Sequence, residues 1–318
     1  MKIAFRVSCA LLVASCAIRP LPEQVTGITT FNIVKQIRCE TREAVFNTFV
    51  KTLADNPKVF GESTQRIAEG FRDHPELMNQ FKPALFTGDA RAFVDYFWNT
   101  GIAYNFSLDM TEVNNLDAQI DFIQTLTSST PSLGLGGGVD RQRENTRTFT
   151  LTDDFKGLLT LRPQSYCDEH LAAEQNQIYP IAGRVGIEPF VHEFVRLALF
   201  TNLGAGKDDN GAPTMVDTLQ FQTLLSGSAV PKVIFSPVGR GFQLADASLT
   251  AQVNRKDIHT LTMGLSVIAA PPAQAAEGKQ LFGRLLTSKG GGTRQAAANA
   301  VDQELTRQAL SKTVVVKP

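Results

Sequence analysis

His192 and Glu193 stand side by side in GIEPFVHEFVRLALFTNLG. A second histidine four residues after the first would put two imidazoles on one helix face, where they could hold zinc. Arg196 occupies that place. A guanidinium cannot ligate a cation, so the motif fails and the pair reads as the wet face of a helix. The other histidines, His74, His170 and His259, are far apart in sequence, and His259 falls in a strand-like stretch. Gly134-Leu135-Gly136-Gly137-Gly138 invites comparison with a phosphate-binding loop. That chemistry needs the glycines between a strand and a helix N-terminus, where backbone N–H groups point at the anion. VDRQRENTRTFTLT follows instead, polar and then strand-like, so a flexible hairpin connection is expected. Arg141, Arg143 and Arg147 beside it read as an exposed charged loop, with anion binding as the alternative.

No nucleophile is better supported. Ser226-Gly227-Ser228 is the nearest approach to a strained serine elbow, but it reads as a turn leading to Pro231. Cys167 has His170 three residues on, with Asp168 and Glu169 between them. Acidic neighbours raise a thiol pKa instead of activating the sulfur, so a disulfide is favoured over catalysis. Lys207-Asp208-Asp209-Asn210-Gly211 is rich in oxygen ligands but lacks the spacing and closing glutamate of a calcium loop. No catalytic residue, metal ligand or cofactor is assigned.

The elements that would carry these residues divide into two kinds. Residues 30–55 have Ile33, Ile37, Ala44, Val45, Phe49 and Leu53 at helical spacing. Thr29 or Thr30 can cap the start, and Asn56-Pro57 can end the helix. Shorter helices are expected at 62–72, 75–82 and about 89–99. The period then changes to two. Aromatic and aliphatic residues alternate with small polar ones in Ala103–Met110 and Arg147–Thr152, around Leu219–Phe221 and Val233–Phe235, and through Phe242–Leu249 and Thr260–Val267. These patterns predict short strands with one buried face. A helix at 187–202 interrupts them, with Phe190, Val191, Phe194, Val195, Ala198 and Leu199 along one side and Gly204 as its stop signal.

The fold class expected is therefore α+β. Residues 30–100 form an N-terminal helical region, and 101–268 an antiparallel β-sheet or sandwich covered by at least one apolar helix. Residues 269–318 read as a linker and a flexible tail holding a short alanine-rich helix. Short strands split by a helix, and an end in VVVKP, do not suit a membrane barrel, and a lipidated N-terminus would make a second anchoring device superfluous.

The amino terminus has the three parts of an export signal. Lys2 and Arg6 are basic, Val7–Ala14 is apolar and too short to span a bilayer, and Val13-Ala14-Ser15-Cys16 is a small-residue site. That last stretch resembles the lipobox of bacterial lipoproteins, with Val13 where leucine is usual. The resemblance implies removal of residues 1–15, lipid on the Cys16 thiol and an acylated new terminus. An ordinary signal peptide or a buried hydrophobic segment is the alternative. AIRPLPEQVTG then reads as a tether, giving residues 16–29 that role. Ala17 after the cysteine implies, by the same resemblance, the outer membrane, facing the periplasm. CAIRPLPEQVTG and IVKQIRCETREAV also resemble a group of proteobacterial lipoproteins of no assigned activity.

Export changes the cysteine count. Cys9 leaves with the signal and Cys16 carries lipid, so Cys39 and Cys167 remain, and an oxidising compartment lets them pair. Two separate buried thiols are the alternative. Lysine and arginine number 31, as do aspartate and glutamate, and no basic excess argues for nucleic acid. The expected partners are the membrane, through the N-terminal lipid, and other envelope proteins. The function expected is a non-enzymatic interaction or structural module. A periplasmic hydrolase using His170 or His259 with nearby carboxylates, or a small-molecule binder, is the alternative.

Overall fold

The computed structural model describes residues 20–23, 27–124, 131–161, 164–167, 176, 179–200, 203, 213–230, 232–234, 243–267 and 293–313. Cys16, His170, Gly204 and Lys207–Gly211 lie outside the described residues. The chain is α+β, as its patterning predicts. The helices are α1 (Thr30–Asp55), α2 (Pro57–Phe60), α3 (Glu62–Asp73), α4 (Gly88–Trp98), α5 (Phe155–Leu159), α6 (Ile187–Phe200) and α7 (Thr293–Thr313). The strands are β1 (Gly101–Ile123), β2 (Ser132–Asp154), β3 (Thr214–Ala229), β4 (Lys232–Ile234) and β5 (Gln243–Ser266). They form one sheet in the order β2-β1-β5-β3, with β4 paired to β5.

The strands are far longer than their sequence signals. Ala103–Met110 and Arg147–Thr152 are only parts of two 23-residue strands. The last two strand-like stretches belong to one strand of 24 residues. Their pairing is antiparallel and unbroken in register. The Phe155 N–H donates to the Thr100 carbonyl, Asn105 Nδ2 donates to Thr150 Oγ1, and Phe106 stacks on Phe149. Nearer the turn, Arg143 meets Glu112 and the Gln124 N–H donates to the Pro131 carbonyl. Every step forward on β1 matches one step back on β2, so neither strand carries an extra residue. β5 behaves likewise. The Thr214 and Thr218 hydroxyls lie 3.3 Å from those of Ser266 and Thr262, and Lys232, Val233 and Ile234 pair with Ser248, Ala247 and Asp246 in the same offset.

By compactness the chain divides into two units whose boundaries fall within the four long strands. One comprises Met1–Gly27, Leu108–Arg147 and Gln222–Ile258; the other comprises Ile28–Ser107, Thr148–Phe221 and His259–Pro318.

The second unit holds the helices. Thr29 Oγ1 accepts from the Asn32 N–H and starts α1; Asn56 ends it, and Pro57 begins α2, where its missing N–H costs nothing. Buried residues surround α1 instead of marking one stripe, because α6, α3 and α5 pack against different sides of it. Phe46, Phe49, Phe71, Phe81, Phe93 and Phe155 join there, mostly edge to face, with centroids 5.4 to 6.2 Å apart. The apolar side of α6 is buried as its spacing predicts, and Phe194 meets Phe97.

Glu40, in the middle of α1, is buried and supplies the N-terminal cap of α6. Its carboxylate accepts from the N–H groups of Val185, Gly186 and Ile187 at 2.6 to 3.0 Å. These are orphan donors at a helix start, where the dipole also favours negative charge. Cys39 and Cys167 form the expected disulfide. Beside it, Arg38 grips both oxygens of Asp153 at 2.8 Å and lies over the Tyr166 ring. The hydrogen bonds that Asp153 accepts are the main reason the Arg38 guanidinium is held charged above its usual range.

The alanine-rich helix read as part of a flexible tail is packed. In α7, Ala297 and Val301 are fully buried against Ala103. Glycine at 264 makes this approach possible: a Cβ there would lie 2.8 Å from the Ala297 carbonyl oxygen and the Val301 side chain. Arg294 fastens the helix start to Asp154, which also caps α5.

Candidate functional site

The residues singled out for chemistry do not converge among the described residues. His74 is exposed and pairs with Glu76 at 2.9 Å. His192 is half-buried on α6, one turn from an exposed Arg196. His259 is buried in β5 and shares a hydrogen bond with the Tyr179 hydroxyl. Tyr179 comes from 80 positions earlier, and no sequence signal pointed to it. No group of His, Cys, Asp and Glu suited to a metal ion occurs among the described residues. Ser226-Gly227-Ser228 lies inside β3 and is not a turn. Arg143 reaches Glu112 at 2.8 Å, both half-buried, instead of standing in a charged loop.

The Gly-rich run gives the most informative correction. Gly134–Gly138 is not the hairpin connection; it lies within β2. In the pairing above, Gly134, Gly136 and Gly138 face Asp121, Gln119 and Asp117 of β1. A Cβ at Gly134 would stand 2.9 Å from Asp121 Oδ1, and one at Gly138 would collide with the Asp117 carboxylate. Side chains alternate across a strand, so Leu133, Leu135 and Val139 point to the opposite face. There they join Leu116, Ala118, Ile120 and Phe122, which alternate with the β1 carboxylates and amide.

β5 repeats the division. An open recess of about 580 Å³, which Ala118 and Leu135 also touch, is lined by Asp117, Gln119, the glycines and, on β5, Ser248 and Thr250. They therefore share the polar face, and Ala247, Leu249, Ala251 and Val253, which alternate with them, share the apolar one. Over Leu116–Phe122 of β1 and the stretches beside it on β2 and β5, the sheet has one side of carboxylates, amides, hydroxyls and bare glycine backbone and one side of aliphatic groups; Glu112, Asn114, Arg141 and Arg143 continue that second side. The aliphatic groups are not covered. Leu116, Ile120, Leu133, Leu135, Val139 and Leu249 are 40 to 54% exposed.

Nearer Leu108, the same apolar-side positions are covered by the chain's own N-terminal residues. Pro20 and Pro22 are buried. Asn145 Nδ2 donates to the Pro20 carbonyl at 2.8 Å, and Arg255 Nη2 to the Leu21 carbonyl at 2.7 Å. Arg255 in turn pairs with Asp257 at 2.8 Å, both buried. Asn145 follows Val139 on one face by period two, and Arg255 follows Val253, so the N-terminal segment lies on the aliphatic side.

The sequence profile of the y4kA family, described as uncharacterised protein y4kA, matches residues 19–315. The chain belongs to that family. It is similar to uncharacterized protein y4kA of Sinorhizobium fredii (strain NBRC 101917 / NGR234), at 32% identity over 268 residues, 81% of this chain and 80% of the relative. Among solved structures, the open-gate secretin InvG of the Salmonella SPI-1 type III secretion injectisome overlaps 58% of this chain and 66% of its own. The TM-score is 0.12 and the identity 8%, so that overlap carries no structural argument. As a y4kA-family protein, the chain belongs to a group without an assigned activity.

Proposed function

We propose that this y4kA-family protein is a lipid-anchored component of the cell envelope, held to the outer membrane on its periplasmic side. It acts as a non-enzymatic interaction or structural module through its two-faced sheet. One observation carries the reading. The segment that follows Cys16 is tied by Asn145 and Arg255 to the apolar side of the first unit. Cys16 stands only four residues before Pro20. At no more than about 3.6 Å per residue, acyl chains on that thiol would start within roughly 14 Å of Pro20. Several chains on one cysteine bind a bilayer far more firmly than one, since each buried methylene contributes about 0.8 kcal/mol.

Intact mass spectrometry of membrane-extracted protein tests this. The expected chain begins at Cys16 and carries acyl mass, and Cys16→Ser releases the protein from the membrane fraction or leaves its signal uncut. A mature chain starting elsewhere without acyl mass defeats the reading.

A further inference from the structure

Charge is sorted across the first unit as sharply as hydrocarbon is. β2 reads Asp140-Arg141-Gln142-Arg143-Glu144-Asn145-Thr146-Arg147. Alternation sends Arg141, Arg143 and Arg147 to the side that carries Leu133, Leu135 and Val139, and Asp140 and Glu144 to the side of the glycines. Asp117 and Asp121 of β1 stand with the glycines too. Among the described residues, the aliphatic side carries these three arginines and Arg255 against Glu23, Glu112 and Asp257. Two of those carboxylates are matched, Glu112 by Arg143 and Asp257 by Arg255, each at 2.8 Å. The aliphatic side is therefore the cationic one and the recess side the acidic one. The exposed leucines, isoleucine and valine on it present roughly 500 Å² of hydrocarbon, within the range where such patches commonly serve as binding surfaces.

We infer that this side of the unit rests on the surface of an anionic bilayer, the one that the Cys16 lipid enters; the envelope reading above is its premise. Leu116, Leu135 and Leu249 dip into the boundary between headgroups and acyl chains, and Arg141 and Arg147 meet lipid phosphates. Apolar area joined to cationic charge is how elements lying on a membrane bind it. The anchor delivers the same side. Asn145 holds the Pro20 carbonyl there, and from Asn145 to Val139 is about 20 Å at ~3.4 Å per residue. Contact through side chains needs neither a closed barrel nor a strand long enough to cross the hydrocarbon. A second copy on this face would bury the leucines equally well. It would bring the arginines no acidic surface, because its Asp117, Asp121, Asp140 and Glu144 sit on its far side. The lipid holds the molecule and the face orients it, so that Asp117, Gln119, Ser248 and Thr250 look away from the membrane.

The test uses the full mature chain, its acyl mass verified, in phosphatidylcholine–phosphatidylglycerol vesicles with and without bromine on the acyl chains. Trp98 is the only tryptophan, so Trp98→Phe gives a dark background. In it, Leu135→Trp is expected to be quenched at least about threefold more than Gln119→Trp, which alternation puts on the opposite side. In phosphatidylcholine alone, quenching of Leu135→Trp is expected to fall at least about threefold, because the arginines lose their partners. Arg141→Gln/Arg147→Gln is expected to cause the same fall in anionic vesicles. Circular dichroism checks folding, and Val139→Trp against Ser248→Trp repeats the comparison if either variant misfolds. Equal quenching at the two positions, or none at either in a protein that is acylated and bound, overturns this surface and leaves the envelope reading standing. Quenching indifferent to phosphatidylglycerol also overturns it, as does a blue-shifted, unquenched Leu135→Trp, the mark of a second copy on the face. A chain without acyl mass defeats the envelope reading itself, and this surface with it.

Discussion

Reducing the Cys39–Cys167 bond is expected to lower the stability of the helical unit by about 5 kcal/mol. The two cysteines are 128 residues apart, and in the chain-entropy account closing a loop of that length removes about 17 cal/mol/K from the unfolded ensemble. Both sulfurs are buried, so the reduced thiols remain in place and the packing around Arg38, Tyr166 and the disulfide changes little. The effect then acts almost wholly on the unfolded chain. With a urea dependence of about 3 kcal/mol/M, the midpoint falls by roughly 1.7 M. Trp98 belongs to the same unit as both cysteines, and its fluorescence reports that unit's unfolding. Urea titrations with and without dithiothreitol, repeated on Cys39→Ser/Cys167→Ser, supply the comparison. Coincident midpoints would refute the reasoning, because they would mean that the loop is already constrained in the unfolded state or that the bond is absent from the purified protein.

Glu40→Ala removes the carboxylate that receives three N–H groups ahead of α6. It is expected to cost about 3 kcal/mol, with Glu40→Gln recovering part of the loss; thermal unfolding measures both. Gly264→Val puts a branched side chain where only 2.8 Å separates a Cβ from α7. Amide hydrogen exchange across 293–313 is expected to accelerate at least about tenfold, while Gly227→Val, whose Cβ meets nothing within 4 Å, leaves it unchanged.

The helices and the disulfide were legible because their signals are local or few. Thr29 and Asn56-Pro57 bracket α1, and the apolar spacing of α6 reports its buried side directly. With Cys9 and Cys16 read as belonging to an export signal, two thiols leave one pairing. The strands were legible only where both period and composition favour them, as in Leu261, Met263 and Leu265. Beyond Met110, β1 continues through Glu112, Asn114, Asn115 and Asp117, residue types that are rare in strands and mimic a loop. β2 passes through four glycines that propensity assigns to a turn. Two of them are explained by the partner across the ladder, Asp117 over Gly138 and Asp121 over Gly134, and that partner is invisible until the register is known. The two-sided character of the first unit was present in Leu116, Ala118, Ile120 and Phe122, but a period of two in exposed residues carries no burial to announce it. The Glu40 cap and the Tyr179–His259 contact join residues 147 and 80 positions apart, and nothing local marks either.

The uninterrupted ladder between β1 and β2 has a consequence for how such a protein can change length. Adding a single residue to either strand would turn every side chain beyond it over, delivering Asp117 and Asp121 to the aliphatic side and Leu116 and Ile120 to the glycines. Two residues together, or one in each strand directly opposite, preserve the arrangement. Tolerated insertions and deletions in these hairpins are thereby restricted to matched steps, a constraint written into the backbone and independent of which amino acids occupy it.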